Sequence, residues 1–113
     1  MVNYSQYLCS QLVTIEYLDA LGQDLSLTGN LEEISPTRLL VLSESNIPLG
    51  ISVVVQCQGH RLNGRIQKAV RDDQLGWFSA VRLKANSRWS EKLFLPEHLF
   101  KLPIPASVIA TAA

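Results

Sequence analysis

Glu33-Ile-Ser-Pro-Thr-Arg38 is the stretch on which the reading of the fold depends. It is a short polar turn between two apolar strand patterns. Upstream, residues 24–34 set Leu25, Leu27, Gly29 and Leu31 on one side at a spacing of two. Gly29, in the middle of that run, predicts a bulge or a sharp bend where a sheet curls. Downstream, Leu39-Leu-Val-Leu42 follows at once. A loop ending in Ile47-Pro-Leu-Gly50 then leads into Ile51-Ser-Val-Val-Val55. Pro48 fixes φ and Gly50 tolerates positive φ, so this loop also closes in a turn.

The same pattern extends outward. Residues 11–18 place Val13, Ile15 and Tyr17 on one face and Thr14 and Glu16 on the other, which is period two with β-branched and aromatic residues. Gln58-Gly59-His60 reads as a tight turn, residues 61–70 as a returning strand, Arg71-Asp-Asp-Gln74 as another turn, and residues 75–83 as a sixth strand. Six strands at intervals of about ten residues describe an antiparallel sandwich or barrel. A barrel is favoured because closure removes exposed edges. After Trp89 the pattern changes. Pro96-Glu-His-Leu99 can begin a short helical turn, with proline at its first position. This segment is expected to cap the open end of the barrel with its aromatics. Residues 1–102 thus form one all-β domain, and residues 103–113, with two prolines and then small residues, form a flexible tail.

The chain has 113 residues, enough for one core, and 47% of them are apolar. Ten basic residues balance ten acidic ones. That balance argues against bulk capture of nucleic acid or of an anionic membrane. Cys9 and Cys57 are far apart and form no CxxC pair, so no metal site is indicated, and they read as buried thiols, with a disulfide between them as the alternative. The N-terminus has no leader-like apolar run, and no stretch approaches a membrane span. The expected location is the cytoplasm. His60 and His98 are the only histidines, and Asp72-Asp73 are neighbours in a turn. No nucleophile, base and orienting group can be assembled from these residues, so no catalysis is expected.

The turn Glu33-x-Ser35-x-x-Arg38, the Pro-Leu-Gly50 turn, the Gly76-Trp-Phe78 strand, Ser87-Arg-Trp89-Ser90 and Pro96-Glu-His98-Leu99 occur in the order of a PilZ domain. The resemblance covers about residues 10–102. It implies a six-stranded antiparallel β-barrel with a short C-terminal helical cap. It also implies a bacterial signalling or adaptor role and cyclic di-GMP as the usual ligand. Carried onto this chain, the ligand contacts are Glu33, Ser35 and Arg38. The family pattern has Asp or Asn where Glu33 stands, and Gly where Arg38 stands. Arg38 either blocks the pocket or offers a guanidinium to a phosphate. The family also carries an Arg-x-x-x-Arg element before the first strand, whereas residues 1–37 here contain no Lys and no Arg.

Weak or absent cyclic di-GMP binding is therefore expected, with action through a protein partner or a homo-oligomer. A genuine cyclic di-GMP receptor and an Sm- or OB-like RNA-binding barrel are the alternatives. Arg61 and Arg65 repeat the Arg-x-x-x-Arg spacing after the serine turn and read as solvated residues on a hairpin, with a phosphate grip as the weaker option. Lys68, Arg71, Arg82, Lys84 and Arg88 read the same way. Asp24, Glu32 and Glu33 make the first half acidic, a split that suits self-association or an acidic partner. Trp89, beside Arg88, reads as an aromatic closing the barrel end, with stacking on a guanine as the alternative.

Overall fold

A computed structural model describes residues 3–105. Seven strands follow one another: β1 (Asn3–Leu18), β2 (Asp24–Ile34), β3 (Arg38–Ser43), β4 (Ser52–Cys57), β5 (His60–Asp72), β6 (Gly76–Leu83) and β7 (Phe100–Pro105). Every pairing is antiparallel. The order β2-β3-β6-β5-β4-β1, with β1 also paired to β2, closes the first six into a barrel. β7 lies outside this ring and pairs with the N-terminal half of β1, from Leu8↔Phe100 to Asn3↔Pro105.

The period-two patterns become the two faces of the wall. Leu39 and Val41 of β3, Val53 and Val55 of β4, Leu62 and Ile66 of β5, and Val81 and Leu83 of β6 point inward and are buried. On β1, Tyr7, Cys9, Val13 and Ile15 do the same. The seam between β1 and β4 is short: Thr14↔Gln56, Ile15↔Val55 and Glu16↔Val54. Side chains reinforce it. The Glu16 carboxylate accepts from the Gln56 amide and, at 3.1 Å, from the Arg61 guanidinium. Above the seam, Gln11 is buried, and its Oε1 accepts from Gln58 Nε2 at 2.9 Å and from the Glu97 N–H at 2.8 Å.

The hairpin between β4 and β5 has two turn residues, Gln58 and Gly59, with φ of 52° and 81°. Both lie in the left-handed region, the backbone of a turn matched to strand twist. Bulges do the remaining bending. Glu32 is the extra residue where Leu31 faces Val41 and Glu33 faces Leu40. Gln67 is the extra residue where Ile66 faces Val81 and Lys68 faces Ala80. The bulge expected at Gly29 is therefore displaced to Glu32. Gly29 stays in register opposite Val13, and its role is close approach, because a Cβ there would meet Val41 Cγ1 at 2.8 Å.

The expected helical cap is absent. Residues 84–99 contain only a 3-10 turn, Ala85–Ser87, and irregular turns. Beyond two turn bonds of their own, Ser87 N–H to Lys84 O and Leu93 N–H to Ser90 O, their backbone bonds to the barrel. The Trp89 N–H donates to Pro36 O at 3.1 Å, Glu97 O accepts from the Ser10 N–H at 3.1 Å, and His98 has a φ of 54° that no α-helix accommodates. The segment still closes the barrel. Trp89 is 2% exposed, meets Tyr7 edge-on at 5.2 Å, and donates its indole N–H to Phe94 O at 3.0 Å. Phe94 is buried beside it, but Phe100 stands exposed. β1 begins at Asn3, earlier than the expected Gln11, because β7 gives it a partner there. The proline-bearing segment read as the start of a tail enters β7 up to Pro105. Residues 106–113 lie outside the described residues. Prolines are compatible with a strand paired on one side only.

Gly64 supplies a direct test of how tightly the wall is drawn. A Cβ at this position would stand 2.5 Å from Val81 Cγ1 and 2.7 Å from Arg82 O. Gly64→Ala should therefore destabilise the fold by about 1–3 kcal/mol through overpacking, read from urea or thermal denaturation. A change within experimental error would mean that β5 and β6 are farther apart than described.

Candidate functional site: a basic groove on the outer wall

Three strands in sequence around the barrel, β3, β6 and β5, carry arginines at matched positions. Arg38 faces Arg82 across one strand pair, and Arg82 faces Arg65 across the next. All three side chains are exposed on the outer wall. The bulge at Gln67 adds a fourth cation. Strict alternation from Leu62, Gly64 and Ile66 would send Lys68 inward, but the extra residue turns it out beside the arginines. The chain after β6 then brings Lys84 and Arg88.

Together these residues line an open groove of about 720 Å³, completed by Thr37, Gln67, Leu83 and Ala85. Six of the ten Lys and Arg residues are there, and none of the ten acidic residues lines it. Backbone bonds hold its rims. The Leu83 N–H donates to Thr37 O at 2.8 Å and the Lys84 N–H to Asn63 O at 2.9 Å. Asn63 Nδ2 also donates to Ser87 Oγ at 3.1 Å, which pins the 3-10 turn below Arg88. Arg65 is held by its Nη1, which donates to Gly50 O at 3.1 Å.

The residues singled out in the sequence separate. Arg38 and Arg65 enter the groove. Ser35 does not line it, because its hydroxyl serves the turn that carries Arg38: Ser35 Oγ accepts from the Arg38 N–H at 3.1 Å, and the Ser35 N–H donates to Arg38 O at 2.9 Å. Glu33 is half-buried on β2 between Leu8 and Leu40, also outside the groove lining. Arg61 shares the outer face with Arg65, but four residues along a strand is about 13 Å. It lies at the seam and forms an ion pair with Glu16. Trp89 is an interior residue and presents no face for stacking on a base. Lys68, Arg82, Lys84 and Arg88, read in the sequence as separate solvated charges, are the ones that join Arg38 and Arg65. The strand register, the bulge and the path of the chain after β6 bring them together.

His60 stacks on Phe94 with ring centroids 5.0 Å apart. Among the described residues no group of three His, Cys, Asp or Glu side chains is arranged to hold a metal ion. Cys9 and Cys57 are buried free thiols, and Cys9 Sγ donates to Leu31 O at 3.5 Å. Burial, with the neighbouring Cys57 and then Glu32 and Glu33 adding to it, pushes the Cys9 thiol up to about 12. Burial, with Glu97 adding to it, pushes Cys57 up to about 11.

Compared with known protein families, curated proteins and solved structures, the chain gives no match in any of the three.

Two outcomes test the local chemistry. Ser35→Ala removes the acceptor for the Arg38 N–H and should cost about 1 kcal/mol in denaturation experiments. An unchanged midpoint would remove Ser35 from the turn's support. For the thiols, a raised folded-state value favours the folded protein while the thiol is neutral. That contribution is complete below the ordinary value of 9.0 and is lost as pH rises through about 11 and 12. Stability should therefore fall above pH 9.0, and a thiol reagent at about pH 8 should label the cysteines only on unfolding. Rapid labelling of the folded protein would contradict their burial.

Proposed function

We propose that the chain is a non-catalytic bacterial regulatory module of the PilZ type, working in the cytoplasm through a protein partner and responding weakly or not at all to cyclic di-GMP. The order of the barrel strands around the serine turn supports the family resemblance. One observation carries the ligand part of the reading: the Ser35 hydroxyl, an expected ligand contact, is bonded within its own turn. Glu33, its expected companion, lies outside the groove lining. A second copy of the chain is one form the partner can take, given the separation of a carboxylate-free basic wall from the acids elsewhere.

The groove itself favours a second reading, a cyclic di-GMP receptor whose phosphate grip comes from β5, β6 and the segment after it. The RNA-binding alternative has less support. No aromatic ring lines the groove, and Trp77 and Phe78, the adjacent pair on β6, are not among its lining residues. Calorimetric titration with cyclic di-GMP decides between the first two. Heat too small to define a binding constant is expected. A micromolar or tighter constant would establish the receptor reading in its place.

A further inference from the structure

We propose that the groove is a binding site for a compact polyphosphate, a run of three or more phosphates recognised by charge and not by any attached base. The inference rests on the reading of the chain as a non-catalytic binding module. Its starting point is a cost. Like charges directly opposite on neighbouring strands destabilise a sheet. Here Arg82 has an arginine opposite it on both sides. Lys68, Lys84 and Arg88 add to the same field, with no carboxylate in the lining to offset it. An anion seated among these residues removes the repulsion.

The chemistry of the lining narrows the guest. Four of the six cations are arginines, whose planar forks match phosphate oxygens in pairs. With no aromatic side chain in the lining, a base gains no stacking platform there. The volume of about 720 Å³ lies within the range of sites for small molecules. It is bounded, too. Beyond it, among the described residues, Arg61 is already paired with Glu16 and Arg71 is followed by Asp72 and Asp73, so the run of cations on β5 is interrupted on both sides of the groove. High charge in small volume is the property of a phosphate chain.

Titration calorimetry and thermal melting of the whole chain test this with tripolyphosphate, ATP, GTP, cyclic di-GMP and a short single-stranded RNA. Tripolyphosphate and both nucleotides should bind with similar affinity and raise the melting temperature. The affinity should fall steeply between about 50 and 200 mM salt. Agreement between free tripolyphosphate and the nucleotides identifies the phosphates as the recognised part. A strong preference for one nucleotide, or for RNA, overturns the proposal. Arg82→Gln and Arg65→Gln should each weaken tripolyphosphate binding about tenfold or more. Arg82→Gln should leave the melting temperature of the ligand-free protein equal or higher at low salt. Arg71→Gln, outside the groove, should change neither.

Absence of tripolyphosphate binding at low salt overturns the inference and leaves the regulatory reading intact. Release of orthophosphate during incubation would instead overturn the non-catalytic reading. Cyclic di-GMP binding tighter than tripolyphosphate would overturn both the inference and the weak-response reading.

Discussion

Closure between β1 and β4 is the constraint from which the rest of the structure follows. Only three residue pairs span that seam. Glu16 strengthens it by accepting from Gln56 on the adjacent strand and from Arg61 beyond it. Gln11 extends the closure upward by tying the hairpin at Gln58 and the chain at Glu97 to β1. Both groups make hydrogen bonds that would be exchanged for water in an open sheet, so the net gain per bond is modest. Their larger effect is geometric. They hold the ends of a six-stranded sheet together, and curvature then follows from the bulges at Glu32 and Gln67.

Curvature explains the division of labour between the two faces. Inside, aliphatic side chains from every strand of the ring meet, and Trp89 with Phe94 closes the end. This apolar burial is the dominant stabilising term. It leaves the outer wall free to hold an arrangement that does not favour folding, an arginine row across β3, β6 and β5. The same bulge that bends β5 turns Lys68 into that row. Shape and charge thus meet at one local irregularity, Gln67.

The strands of the ring were legible because their side chains alternate and their turns contain residues with a special backbone role. Thr14-Ile-Glu-Tyr17 can present one apolar face only as a strand, and Gln58-Gly59 suits a two-residue hairpin. The helical cap was misread because Pro96 can start a helix, yet the segment finds its hydrogen-bond partners on the barrel. β7 was missed for a related reason. Prolines at 103 and 105 argue against a strand until an edge of β1 is available to pair with one side of it. Each error concerns a segment whose conformation is set by what it docks against.

The chain's own order of residues determined that there would be a small β-rich domain with one core, a serine turn after the second strand, and no cation in the first 37 positions. That last feature leaves the first third of the chain without Lys or Arg. Tertiary structure alone gathers the later cations on the wall beside the turn. Arg38, Arg65 and Arg82 are 17 or more positions apart in the chain, and no local pattern relates them. They become neighbours because strand register pairs residues across hairpins and across a non-consecutive contact between β3 and β6. A charge field adds up over distance in space, and only the folded sheet determines those distances.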